Sequence, residues 1–217
     1  MTIRLGVLVS GGGTNLQAIL DAVREHRLDA ELRLVLSNKE GAFALERAAK
    51  DNVPTRVLSH KSYGSREEFD GAMVEALREA GVEWIALAGF MRVLTPVFLR
   101  AYEGRIVNIH PALLPAFPGV DAQTQAFDHG VKIAGCTVHF VDEGVDQGPI
   151  ILQRAVSVLD DDDAASLKAR ILEQEHVAFV EALSAIAEGR VSLATSATGR
   201  TIVRVRPPTR VGAHEGS

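Results

Sequence analysis

Short apolar runs alternate along this chain with stretches long enough to be amphipathic helices, and few folds accommodate that alternation. Runs near residues 3–9, 31–37, 54–58, 83–88 and 105–109 read as strands, and the segments between them, near 15–26, 42–51, 66–80 and 95–102, read as helices. A helix between two strands carries the chain back across the sheet, so consecutive strands pair in parallel and are covered on both faces. A further helix is predicted near 121–130, strands near 132–141 and 149–158, and a long helix over 164–188. The expected fold class is therefore α/β, a doubly wound, mostly parallel sheet. No repeat, low-complexity tract or Ser/Pro-rich linker precedes residue 190. Residues 1–189 then read as one domain, with a mononucleotide-binding half to about residue 104 and a half carrying the chemistry over about 105–189. Residues 190–217 hold Arg190, Arg200, Arg204, Arg206 and Arg210 with Pro207-Pro208, and read as a short edge strand, Thr201 to Val205, followed by a mobile tail.

Composition narrows the function. At 217 residues and 47% hydrophobic content the chain can bury a large core without staples. Its only cysteine, Cys136, has no internal partner for a disulfide and leads into Val138-His139-Phe140, so it reads as a small buried hydrophobe rather than a nucleophile. The apolar run at residues 3–9 is too short for a secretory core, and no stretch reaches the roughly 18 residues of a membrane span. A cytoplasmic protein with no membrane partner is expected. A net charge of -5 lacks the basic face that nucleic acid requires, which leaves small-molecule partners and requires local donors for any anionic one. His60, His129, His139 and His176 show no metal-ligand spacing and read as structural or exposed, so no metal is expected.

Two motifs carry chemistry. The first strand ends in Ser10-Gly11-Gly12-Gly13-Thr14-Asn15-Leu16 and passes into a helix, so backbone amides can meet a ligand at a helix N-terminus, as in a phosphate cradle. A dinucleotide fingerprint is the competitor. Here, however, the spacing is Gly11-x-Gly13-x-x-Leu16, and the next strand ends Ser37-Asn38-Lys39 with no acid for a ribose diol. A terminal phosphate on a small substrate fits better than NAD. The second motif is Asn108-Ile109-His110-Pro111, closing an apolar run, with Asp146 downstream in Val145-Asp146-Gln147-Gly148-Pro149. Side chains two apart on a strand project to one side, so Asn108 and His110 stand together where Pro111 ends pairing. An amide, an imidazole and a carboxylate together can hold an oxyanion and move a proton without a nucleophilic side chain. The plainer alternative is a turn-bonded Asn, a satisfied core His and a loop Asp.

Other residues are readable more loosely. Gly89-Phe90-Met91-Arg92-Val93-Leu94 follows the fourth strand near the switch point of such sheets, and offers apolar wall plus one cation to a flat heterocycle with carboxylates. A core Phe90 and Met91 with a surface Arg92 is the alternative. Arg66 reads as a first-turn helix residue behind a Ser65 cap. Glu175 lies on the apolar stripe of Leu167, Ile171, Ala178 and Ala182, where a carboxylate is rarely buried without a partner. A ligand hydroxyl or a snorkelling side chain would explain it. Asp160 to Asp163 need only their place at the positive end of that helix.

Taken together, these residues resemble the folate-dependent phosphoribosylglycinamide formyltransferase family of purine biosynthesis. The resemblance spans about residues 3–188 and includes Ser10 to Ile19, Ser37-Asn38-Lys39, Gly89 to Arg92, Asn108 to Pro115, Val138 to Val141 with Asp146 to Pro149, and Gln174-Glu175-His176. It implies a Rossmann-like formyltransferase fold, with 10-formyltetrahydrofolate as cosubstrate and glycinamide ribonucleotide as formyl acceptor. It further implies that Asn108, His110 and Asp146 are catalytic, that Gly13, Thr14 and Asn15 bind phosphate, and that Glu175 binds ribose. For the folate it implies Met91, Arg92, Val93, Leu94 and Asn108 together with Val141, Asp142, Glu143, Gly144 and Val145, while Arg66 approaches the folate glutamate or the rim. The Leu114–Pro115 bond is expected to be cis. Where some relatives carry histidines after Pro118-Gly119, this chain has Asp121-Ala122-Gln123. Other formyl-folate enzymes remain as alternatives. A formyltransferase acting on tRNA would bring a basic domain, and a formyl-folate hydrolase an N-terminal regulatory domain that is not expected where strand one begins at residue 3. The assembly is left open, a homodimer included.

Overall fold

The computed structural model describes residues 2–208. Its centre is a seven-stranded sheet of β1 (Ile3–Val9), β2 (Ala30–Ser37), β3 (Thr55–Val57), β4 (Trp84–Leu87), β5 (Ile106–His110), β6 (Ile133–Phe140) and β7 (Ile150–Ser157), in the spatial order β3-β2-β1-β4-β5-β6-β7. Pairings from β3 through β5 are parallel, and β6 and β7 run antiparallel to their neighbours. The helices are α1 (Thr14–Arg24), α2 (Phe43–Lys50), α3 (Arg66–Glu79), α4 (Pro96–Ala101), α5 (Ala122–His129) and α6 (Ala164–Ala187). The doubly wound, mostly parallel sheet expected from the alternation is the one formed.

The pleat sorts side chains to two cores. On β1, Leu5, Val7 and Val9 face the layer that includes Leu16 and Ile19 of α1, Ala44 of α2, and Ile171 and Phe179 of α6. Leu8 faces the opposite layer of Phe69, Met73 and Leu77 on α3 and Phe98 on α4. Burying a large apolar side chain is worth about 1.5–3 kcal/mol, so packing rather than capping can hold a helix. That matters for α1, whose N-cap is Gly13 with no side-chain cap, whereas Ser65 caps α3 and Asp163 forms a capping box with Ser166 on α6. Cys136 lies fully buried in the first core.

Topology places the site. From β1 the chain winds outward through β2 and β3, then returns to the other side of β1 as β4 and β5. Loops leaving β1 and β4 therefore diverge, and a crevice opens at their C-terminal ends. The predicted strand Thr201–Val205 forms as β9, but it pairs with β8 (Val191–Thr195) in its own antiparallel hairpin. The sequence assigns no element to Val191 to Thr195, a short and largely exposed segment ahead of the predicted strand, and pairing with that strand is what orders it. The expected mobile tail beyond residue 208 lies outside the described residues. No helix among the described residues is long and apolar enough to cross a membrane.

Candidate active site

A cleft of about 760 Å³ runs along the C-terminal ends of β1, β4 and β5, a size suited to small ligands. At one end is the glycine loop. The carbonyl of Gly13 accepts from the Gln17 amide at 2.9 Å to open α1, while no acceptor among the described residues takes the amides of Gly12, Gly13, Thr14 or Asn15. Unpaired N–H groups at a helix start are a fixed positive end. The Asn15 side chain is engaged elsewhere: its Nδ2 donates to Glu175 Oε2 at 2.8 Å, which ties α1 to α6. Glu175 is only 5% exposed. Burial pushes its carboxyl above the ordinary value, and the Asn15 hydrogen bond opposes that shift. Snorkelling is thereby excluded; Glu175 is a buried acid on the cleft wall.

At the other end Asn108 and His110 project from β5, and Asp146 reaches them from the turn between β6 and β7. His110 Nδ1 lies 3.4 Å from Asp146 Oδ2, and His110 Nε2 donates to the Phe117 carbonyl at 2.8 Å. Asp146 also accepts from the Gly119 amide at 2.8 Å and sits in the left-handed region at φ 54°. Burial raises the Asp146 carboxyl, but His139, the Gly119 amide and the His110 imidazole outweigh it and hold the group below the ordinary carboxylate value. A polar cluster thus joins residues 36 positions or more apart in the chain order of β5 and the 146 turn.

His139 completes that cluster. It pairs across the sheet with Asn108, its Nδ1 donates to the Phe140 carbonyl at 2.8 Å, and its Nε2 lies 3.1 Å from the Asn108 amide nitrogen. The same Nε2 is 3.6 Å from Asp146 Oδ1. The imidazole therefore fixes which edge Asn108 turns to the cleft. Sequence reading treated His139 as merely structural or exposed. Its signal was the pairing of β5 with β6, since an antiparallel register sets residues 108 and 139 side by side.

Between the two ends lies an apolar rim. Met91 and Val93 are 69% and 55% exposed, and Val145 is 48% exposed, all three on the cleft with Arg92, Leu94 and the segment Val141 to Gly144. Arg66 does not line the cleft; its guanidinium donates to the Val93 carbonyl at 2.8 Å on the rim. Ser10, not singled out from sequence, holds the walls together. Its hydroxyl donates to Asn38 Oδ1 at 2.7 Å and accepts from the Met91 amide at 2.9 Å. Lys39 and Lys168 add positive charge to the cleft, Lys168 paired with Asp121 at 2.9 Å. The Leu114–Pro115 peptide is cis, as the resemblance implied. Of the acidic run, Asp162 binds Arg170, Asp163 caps α6 and Asp160 binds Lys132, so partners as well as the helix end hold it. No group of three or more potential metal ligands occurs among the described residues.

A family model described as formyl transferase matches residues 3–183. Phosphoribosylglycinamide formyltransferase of Bacillus subtilis (strain 168) is 46% identical over 173 residues, covering 80% of this chain and 89% of that protein. The chain belongs to the formyl transferase family, in its phosphoribosylglycinamide formyltransferase branch. Among solved structures, glycinamide ribonucleotide transformylase 1 from Symbiobacterium toebii superposes with a TM-score of 0.89 at 50% identity, covering 94% of each chain. The trifunctional purine biosynthetic protein adenosine-3 of Drosophila melanogaster is 51% identical over 188 residues, 86% of this chain. This chain spans only 14% of the length of that longer relative.

Proposed function

We propose that this chain transfers the formyl group of 10-formyltetrahydrofolate to the amine of glycinamide ribonucleotide, giving formylglycinamide ribonucleotide and tetrahydrofolate. The observation that carries the reading is the convergence of Asn108, His110 and Asp146, with His110 3.4 Å from Asp146, in the same cleft as a helix start with unpaired amides. The phosphate goes to the amides of Gly13, Thr14 and Asn15, and the ribose hydroxyls go to Glu175. The folate lies on the apolar rim of Met91, Val93, Leu94 and Val145, with Arg92 toward its charged end, Arg66 at the mouth and the 141–145 backbone along its ring.

In the reaction the free amine attacks the formyl carbon, and the carbonyl oxygen becomes an oxyanion held by the Asn108 amide and the His110 imidazole. Asp146, 3.4 Å from His110 Nδ1, orients the imidazole toward that oxygen. As the bond from carbon to the folate nitrogen breaks, a proton leaves the attacking nitrogen and reaches the departing one through water oriented by Asp146. No side chain is acylated. Every residue invoked comes from one chain, so a monomer or a homodimer in the cytoplasm would serve equally. The test is a formyl-transfer assay with glycinamide ribonucleotide and 10-formyltetrahydrofolate. Formylated ribonucleotide and tetrahydrofolate in equal amounts are expected; free formate released at the same rate with or without the amine would overturn the assignment.

A further inference from the structure

A peptide plane in a glycine-rich loop can turn either edge toward a ligand, and only the N–H edge suits an anion. In this protein α2 makes the choice from behind. The Gly11 carbonyl accepts from the Ala44 amide at 3.0 Å, and the Gly12 carbonyl accepts from Arg47 Nε at 2.8 Å. In a trans peptide the carbonyl and the following N–H point in opposite directions, so drawing both carbonyls to α2 turns the Gly12 and Gly13 amides away from it, toward the cleft. Contact with α2 is close: a Cβ on Gly13 would lie 2.5 Å from the Ala44 Cβ, whereas one on Gly11 or Gly12 would meet nothing within 4 Å. Gly13 is thus required by packing and by its φ of 71°, while its two neighbours leave open space in front.

Arg47 is itself held in place. Its Nη1 donates to Gln17 Oε1 at 3.1 Å, and its guanidinium lies 4.9 Å above the Phe43 ring. Among the described residues no carboxylate forms an ion pair with it, so its charge acts on the loop it braces. The neighbouring His176 registers that charge: burial first, and Arg47 second, depress its imidazole.

We propose that Arg47 is a positioning residue for the substrate phosphate. Without touching the ligand, it fixes the Gly12–Gly13 peptide with its N–H toward the anion and adds positive field from behind. The proposal rests on the glycine loop being the phosphate cradle, and the experiment separates the two ideas. Kinetics are measured for the wild type, Arg47→Ala and Arg47→Lys at saturating folate, with glycinamide ribonucleotide and with the matching nucleoside that lacks phosphate. Loss of one charge-assisted hydrogen bond should raise the ribonucleotide KM about tenfold in Arg47→Ala. At the same time kcat and the folate KM should stay within about twofold. Arg47→Lys should recover most of the loss, and on the nucleoside all three proteins should match in kcat/KM. A wild type that uses both substrates equally well removes the phosphate reading itself. A wild type that strongly prefers the ribonucleotide, with Arg47→Ala keeping the full preference or losing kcat instead of KM, removes only the role of Arg47. Should the alanine variant not fold, Arg47→Met, of similar reach and without a donor, takes its place.

Discussion

Two residues on β5 illustrate how little sequence is needed to bring an amide and an imidazole into one cleft. Asn108 and His110 are one pleat apart on the same side of the strand, and both line the cleft. Removing a preorganised oxyanion donor costs about 2.7–4 kcal/mol, so Asn108→Ala or His110→Ala should each lower kcat by roughly two to three powers of ten. Thermal melts should be nearly unchanged, and turnover close to wild type in either variant would contradict the assignment. Glu175 allows a prediction of another kind. Its native carboxyl is raised above the ordinary value near 4.5 by burial, so folding binds a proton that the unfolded chain releases. Its contribution to stability is complete below that ordinary value and is lost as pH rises through the raised one. Glu175→Gln keeps an oxygen for Asn15 Nδ2 and has no charge to bury. Its melting temperature should therefore gain on the wild type as pH increases from about 4.5 toward neutrality. A gap that does not change with pH would show that the buried acid is not the cause.

At the level of elements, capping and packing divide the work. The first turn of α6 is closed by Asp163, which accepts from the Ser166 amide at 2.7 Å while Ser166 Oγ accepts from the Asp163 amide at 3.0 Å. Loss of such a cap typically costs about 1 kcal/mol, so Asp163→Ala should lower the melting temperature by roughly 2–4 °C without altering kcat. No change in the melt would mean that packing holds the α6 start without its cap. The same division explains what sequence could reveal. Strands and helices were readable because each buries an apolar face at its own period, and Asn108 with His110 because their spacing matches the pleat. His139 was not readable: its place beside Asn108 depends on the antiparallel register of β5 and β6. Arg47 was hidden for a similar reason, since its partner Gly12 is 35 residues away and belongs to another element. The strand β8 has little signal of its own, since Val191-Ser192-Leu193-Ala194-Thr195 is short and largely exposed and owes its extended form to pairing with β9.

Across the whole molecule, both ends of the cleft hang from one sheet, so neither can be lost without disturbing strands at its centre. Cys136 sits in β6 between β5 and β7, fully buried, and is the chain's only cysteine. Burial, and after it the charge of Glu175, pushes its thiol up to about 12. Only a thiolate attacks a thiol reagent, and this one stays protonated and out of reach until the strands around it separate. The native protein should accordingly resist alkylation at pH 8, and the labelling rate should climb with urea along the slope of the equilibrium unfolding curve. Rapid labelling with little urea dependence would point to a local breach instead. If it behaves as expected, a single sulfur atom becomes a built-in gauge of how often the entire chain lets go of its shape, readable by mass spectrometry with no added probe.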